Sequence, residues 1–260
     1  MKSEPVDLDG RVALVTGASS GIGRGTAIML AARGARVLAV ARSKERLAIL
    51  KAEHEGIAVA ATSLVEPDGC SRAVEKAREL GPVTILVHAA GLGGYLGRPI
   101  WEETWEAWRA TMALNLDAAF ELSRLVVPDM ISTGWGRIVM VGSTAGQVGA
   151  PAMSAYSASK AGLLGLIRSV AQDIGQFGIT ANAVVPGWVS GTEMAERDAE
   201  QDAKRRGMSV EAVWAERAAS YPAGRVLSPD EIVRVISFLA SDAASGISGE
   251  GITVALGGTW

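Results

Sequence analysis

The sequence is poor in the residues that cross-link chains and hold metals. In 260 residues there is one cysteine, Cys70, and there are two histidines, His54 and His88. A lone thiol closes no intramolecular disulfide, and two isolated histidines offer no metal-ligand spacing, so neither a disulfide scaffold nor a resident metal is expected. An excess of either charge is missing too. Lys and Arg number 25 against 28 Asp and Glu, a formal net charge of -3, with no basic tract. Nucleic acid and anionic membrane surfaces are therefore not expected partners, and small molecules are. No apolar run reaches spanning length without a charge or glycines, and Met1 to Gly10 is polar and acidic. Neither membrane insertion nor export is expected, which leaves a reducing cytoplasm as the expected location.

What is there is an ordinary globular balance, 48% hydrophobic and 20% charged. Short apolar runs alternate with amphipathic segments of helix length, the sequence form of repeated βα units. Strands are predicted at Arg11 to Thr16, Arg36 to Ala41, Ile57 to Thr62, Thr84 to His88, Arg137 to Gly142, Thr180 to Val185 and Ile252 to Leu256. Each is too continuously apolar to have a wet face, so the sheet is parallel and covered on both sides. Helices are predicted to begin near Gly21, Lys44, Asp68, Glu102, Ala152 and Pro229, the last with Ser228 as N-cap. The expected fold is α/β: one doubly wound Rossmann-type domain over residues 1–260, with a seven-stranded parallel sheet. Residues 190–223, rich in charge and alanine and without a strand signal, read as an inserted helical lid beside the carboxyl ends of the strands.

The first strand runs directly into Gly17-Ala18-Ser19-Ser20-Gly21-Ile22-Gly23 and then a helix. Glycines at such a turn let a pyrophosphate approach bare backbone, and the helix N-terminus faces it with its positive end. Gly17, Ser19, Ser20, Gly21, Ile22 and Gly23 are thus candidate cofactor contacts, although a tight turn alone also selects glycine. At the end of the second strand, where a carboxylate would hold the ribose hydroxyls of NAD, the sequence has Arg42-Ser43. A guanidinium and a hydroxyl suit a 2′-phosphate, so the expected cofactor is NADP(H), with Ser20 and Arg24 flanking the same edge. The plainer reading is that Arg42 only solvates the next helix.

Tyr156 and Lys160 stand four apart on a predicted helix and so share a face, and Ser143 ends the fifth strand thirteen positions before Tyr156. Either spacing alone arises often by packing. Together with the glycine turn, Asn115 in Leu114-Asn115-Leu116, and Pro186-Gly187 after the sixth strand, the pattern resembles the short-chain dehydrogenase/reductase family over nearly the whole chain. The resemblance implies interconversion of a ketone and a secondary alcohol with Asn115, Ser143, Tyr156 and Lys160 as catalytic residues. Ser143 and Tyr156 would hold the carbonyl oxygen while Tyr156 donates the proton. A free tyrosine has a pKa of about 10, and an ammonium roughly 4 Å away at an effective dielectric near 20 offers about 4 kcal/mol towards the phenolate, so Lys160 is expected to make the phenol more acidic. By resemblance, Lys160 also binds the nicotinamide ribose and Asn115 holds a relay water. Ser63 and Leu64 would then border the adenine, Ala89, Ala90 and Gly91 the adenosine ribose, and Pro186, Gly187 and Val189 the nicotinamide. A homotetramer built through the helices of Asn115 and Tyr156 is implied too, with Ala158, Ala161, Gly162 and Gly165 allowing close approach.

The sequence departs from the family pattern in four places. His88-Ala89-Ala90-Gly91 replaces two asparagines before Ala-Gly, and Ser63 stands where an aspartate often meets the adenine. The segment after Gly187 is one residue longer than usual, leaving open whether Gly191 or Thr192 meets the nicotinamide amide, and Ala255 to Gly258 lacks a common aspartate. His88, following Ile85-Leu86-Val87, reads as a buried structural histidine. The substrate pocket is expected between Gly91 to Leu96, Ala145 to Met153, and Trp188 with the lid. Those walls carry few charges, which suits a carbonyl on an apolar or neutral body and offers no fixed cation to a carboxylate unless Arg98, Arg197 or Arg217 swings in. The resemblance adds a 3-oxoacyl thioester as the best-populated substrate class, with sugar, steroid and xenobiotic carbonyls also open. Trp101, Trp105 and Trp108 read as a helical stripe serving the core or a subunit interface. Two rivals stay open: an NAD-linked dehydrogenase, and a non-catalytic dinucleotide sensor on the same fold.

Overall fold

The alternation of apolar and amphipathic segments does produce a parallel sheet covered on both sides. The computed structural model describes residues 7–93 and 98–258. Its strands are β1 (Val12–Thr16), β2 (Arg36–Ala41), β3 (Ile57–Ala61), β4 (Val83–His88), β5 (Gly136–Val141), β6 (Ile179–Pro186) and β7 (Gly251–Val254), in the order β3-β2-β1-β4-β5-β6-β7, all pairs parallel. Each lies where its apolar run predicts, within a residue or two at the ends.

Alternate residues of the strands feed two separate cores. Leu14, Leu38, Leu86 and Ile138 face α3 (Gly69–Arg78), α5 (Ala118–Thr133) and α7 (Ser154–Ile174), meeting Ala73, Leu122 and Leu163. Ala13, Val15, Val37, Ile85 and Val139 face the other way, towards Ala27 and Leu30 of α1 (Gly21–Ala32) and Ile232 and Ile236 of α10 (Pro229–Leu239). The period of two in β-structure is what lets one run of Val, Leu and Ile serve both layers. α2 (Lys44–Glu53) follows β2, with Ser43 as its N-cap. The Ser228 backbone N–H donates to Glu231 Oε2 at 2.9 Å, so α10 starts on a capping box, as its Ser-Pro-Asp-Glu start predicts.

Two predicted helices are more divided than expected. The segment expected to begin near Glu102 has a short 3-10 turn at Ile100–Glu102 and then α4 (Trp105–Met112), capped by Thr104. A π-helical turn, Ala113–Asp117, then joins α4 to α5. The segment near Ala152 has a one-turn helix, α6 (Ala145–Val148), before α7 starts at Ser154. Residues 190–223 contain α8 (Glu193–Arg206) and α9 (Val210–Ala219), which pack on each other through Ala199, Ala203 and Val213.

Of the two roles read for the tryptophan stripe, core or subunit interface, the structure removes the first for two of its residues. Trp101 sits on the 3-10 turn and is 81% exposed, and Trp105 is 70% exposed on α4, so neither belongs to the core of this chain. The break at Glu103 rotates the turn out of register with α4, which the helical spacing alone does not reveal. Among the described residues no helix is long and apolar enough to cross a membrane.

Candidate active site

Strand order reverses between β1 and β4, where successive crossovers leave in opposite directions, and a crevice opens at the carboxyl ends there. A cavity of about 750 Å³ occupies that place. Its floor at one end is the β1–α1 turn, with Gly17, Ser19, Ser20, Gly21, Ile22 and Gly23 all on the lining. Gly17 has φ +67°, and a Cβ there would stand 2.7 Å from the Ala90 backbone nitrogen, while a Cβ on Gly23 would collide with the Gly17 carbonyl. The turn is therefore closed to any larger residue at both positions. Ser20 makes no side-chain cap on α1, and no acidic residue lies in its first turn, so its N–H groups face the cavity without a competing anion. That geometry fits the pyrophosphate of a dinucleotide.

The next part of the lining follows the predicted adenosine edge. Arg42, Ser63 and Leu64 line the cavity, and Arg42 is exposed with no ion-pair partner among the described residues. Ser43 does not line it. Its hydroxyl accepts from Arg46 N–H at 3.3 Å and donates to Glu45 at 3.1 Å, so the cap of α2 takes the group that the sequence offered to a phosphate. Arg24 is likewise paired, with Glu53.

Ala89, Ala90 and Gly91 line the middle of the cavity, supported by His88 beneath them. His88 is fully buried. Its Nε2 lies 3.1 Å from the Leu114 carbonyl, which only accepts, so Nε2 carries the proton. Nδ1 then accepts from the Thr16 hydroxyl at 3.0 Å, and that oxygen accepts from the Ala90 N–H at 3.2 Å. Burial, with the Lys160 charge adding to it, holds the imidazole pKa down to about 4, so the ring is neutral. The expected structural role is what the structure shows.

Of the four predicted catalytic residues, Asn115 and Lys160 meet beside Gly91, and Ser143, Tyr156 and Lys160 line the cavity. Asn115 sits in the π-helical turn, wholly buried, where Oδ1 accepts from Leu92 N–H at 2.8 Å and Nδ2 donates to the Leu92 carbonyl and the Ser159 hydroxyl, both at 3.0 Å. Its side chain thus fastens the β4 loop to α7. A Cβ placed on Gly91 would come within 3.4 Å of Asn115 Oδ1 and 3.6 Å of Lys160 Nζ, so both groups meet at that point. Ser143, Tyr156 and Lys160 line the same wall. Lys160 Nζ donates to the Val141 carbonyl at 2.8 Å and stands 5.6 Å from the centre of the Tyr156 ring.

The expected acidic phenol is not observed. Burial raises the Tyr156 pKa to about 12, opposed by a hydrogen bond with Ser143 and reinforced by the negative charge of Asp198. Lys160, which the sequence casts as the acidifying neighbour, is tied to a strand carbonyl, and burial lowers its own pKa to about 8. Desolvation outweighs attraction because both groups are withdrawn from water together.

Pro186 ends β6, and with Gly187, Trp188 and Val189 after it lines the cavity, where Val189 bridges to Leu227. Of the two residues left open there, Thr192 lines the cavity. Gly191 turns away at φ +71°, its N–H donating to Glu196 at 2.9 Å, and Thr192 caps α8. In the expected substrate wall Gly91 to Leu96, residues 94–96 lie outside the described residues. Trp188 lies in the pocket as expected, under Arg217, whose guanidinium carbon is 3.8 Å from its ring centre. The sequence did not single out Asp198, which projects from α8 into the cavity; a carboxylate on a helix this rich in charge has no signal separating it from a solvated face.

The sequence matches the model of a family described as short chain dehydrogenase over residues 11–203. It is 37% identical to the 3-oxoacyl-[acyl-carrier-protein] reductase FabG of Escherichia coli K12, covering 96% of this chain and 97% of that one. The structure superposes on actinorhodin polyketide ketoreductase with NADPH at a TM-score of 0.90 and 32% identity, covering 96% and 98% of the two chains. It also superposes on NAD+-bound xylitol dehydrogenase at 0.89 and 28%, covering 95% and 98%. A nicotinamide dinucleotide cradle, a hydroxyl pair on its inner wall and these likenesses lead to one conclusion: the chain belongs to the short-chain dehydrogenase family, as an oxidoreductase of the alcohol–carbonyl pair.

Proposed function

We propose that the protein is an NADP(H)-dependent ketone reductase in which Tyr156 is the general acid. The observation that carries this reading is the meeting of Tyr156, Ser143 and Lys160 on the wall of the cavity whose far end is the β1–α1 cradle. When bound, the cofactor supplies the hydride. The chain supplies the rest. Ser143 and Tyr156 hold the carbonyl oxygen, and the phenol gives up its proton as negative charge develops there. A phenol with its pKa pushed up to about 12 keeps that proton at neutral pH, the form an acid needs, and an alkoxide is basic enough to take it. Lys160, fixed by Val141, presents its ammonium to the ribose and to the phenolate left behind. Asn115 acts through position: its side chain is committed to Leu92 and Ser159, so it shapes the Gly91 corner, and the relay water expected from the resemblance would have to be held by backbone.

NADPH is preferred to NADH because the adenosine edge carries Arg42 and no carboxylate at the end of β2. The sensor alternative loses support from the intact catalytic wall. Relatives named as 3-oxoacyl-thioester and polyol enzymes place the substrate among carbonyl compounds of that breadth. Thr192 is the better placed of the two candidates for the nicotinamide amide, and α8 with α9 serves as the lid. A homotetramer completes the reading, supported by exposed Trp101, Trp105 and Phe120 and by Gly165, beside which nothing lies within 4 Å of a Cβ.

Replacing Tyr156 with Phe tests the mechanism. NADPH oxidation with a ketone panel is expected to fall by about 10²-fold or more while NADPH still binds. Full turnover by the variant refutes the assigned acid.

A further inference from the structure

Asp198 is buried in a way that needs a reason. It is 9% exposed, lines the main cavity and also a second one of about 460 Å³ that opens beside Trp188 and Met153, and accepts no hydrogen bond from any described residue. Gly93 approaches its carboxylate closely enough that a Cβ there would stand 3.5 Å from Oδ1. Arg197 and Arg217 act on it only through their fields. Arg197 is paired with Glu193 at 2.6 Å, and Arg217 is stacked between Trp188 and Trp214. A desolvated carboxylate without a donor weakens the fold, and its pKa is accordingly raised to about 6. Such a group persists where it serves a ligand.

We infer that Asp198 accepts a hydrogen bond from a hydroxyl of the substrate, making the preferred substrates neutral hydroxylated ketones and their polyol products. The inference rests on the ketone-reductase reading. The carboxylate lines the same cavity as Tyr156 and its charge acts on that phenol, so a substrate held at Tyr156 lies within reach of its field. A cationic donor fits less well, because Arg197, Arg205 and Arg217 line the two cavities around it. An anionic substrate meets the carboxylate itself. A saturated acyl chain would leave Asp198 buried against hydrocarbon with nothing to accept from.

The test is the ratio of kcat/KM for 2-hydroxycyclohexanone to that for cyclohexanone, measured by NADPH oxidation in wild type, Asp198→Asn and Asp198→Leu. The ratio is expected to fall about tenfold or more in Asp198→Leu and less in Asp198→Asn, whose amide oxygen still accepts. Both variants are also expected to melt higher than wild type at pH 7, by about 2 °C or more, since they remove a charge that burial penalises. A purely structural carboxylate would lower the melting point. As a readout independent of turnover, cyclohexane-1,2-diol should raise the melting point of the NADP+-loaded wild type more than cyclohexanol does, and lose that advantage in Asp198→Leu. Ketone turnover with an unchanged ratio overturns the role of Asp198 and leaves the reductase standing. A diol effect lost in Asp198→Leu, without turnover of any ketone, supports the hydroxyl site and overturns the reductase reading.

Discussion

His88 Nε2 donates to the carbonyl oxygen of Leu114, 3.1 Å away, and so joins the strand under the cofactor loop to the residue preceding Asn115. Through Thr16 the same ring reaches the Ala90 N–H. Where the family pattern has asparagine, a neutral imidazole here clamps the β1 turn, the β4 loop and the π-helical turn together.

The clamp predicts an acid-sensitive fold. The folded pKa, about 4, lies below the ordinary 6.5, so on acidification the unfolded chain takes a proton that the folded chain refuses. The contribution of His88 is intact above about pH 6.5 and is lost progressively towards pH 4, by about 3 kcal/mol over the window. Denaturant unfolding of wild type and His88→Asn at pH 7.5 and 5 should show the slope in the first and a flatter response in the second. Equal slopes would remove His88 from this role.

Lys160 predicts activity and stability moving in opposite directions with pH. Its folded pKa, about 8, is below the ordinary 10.5, so above pH 8 the folded chain sheds a proton that the unfolded chain retains, and the fold gains stability from this group. The ammonium needed beside Tyr156 disappears over the same range. For wild type, kcat/KM for ketone reduction should decline above about pH 8, and Lys160→Met should lose about 10²-fold at pH 7 together with that basic limb. A limb that survives in Lys160→Met belongs to another group.

Arg42 predicts cofactor choice. A charge-assisted bond to the 2′-phosphate is worth about 1.5–3 kcal/mol, so Arg42→Ala should weaken NADPH about tenfold or more and NADH far less. Fluorescence titration of both cofactors reads this directly. Comparable losses for both would return Arg42 to simple solvation and reopen the NAD-linked alternative.

The elements were legible because their signals are local. Val12 to Thr16 and the other apolar runs state a buried strand wherever they are placed, Ser228 to Glu231 spells a helix start, and a glycine turn between strand and helix reads as a cradle. Tyr156 and Lys160 were legible for the same reason, since four residues of helix put them on one face. Helix subdivision was less so: neither the π-helical turn at Asn115 nor the break before Trp105 leaves a pattern in residue type.

The sequence by itself determined the sheet, the glycine turn of the cradle and the pairing of Tyr156 with Lys160 on one helix, because spacing along the chain fixes which side chains share a face or a turn. Only the tertiary structure decided the protonation of Tyr156 and Lys160, the commitment of Ser43 to a helix cap, and the burial of Asp198 against the active cavity. Those depend on how much water the folded chain excludes around each group and on which neighbours arrive from distant segments, and neither quantity is a function of position in the chain.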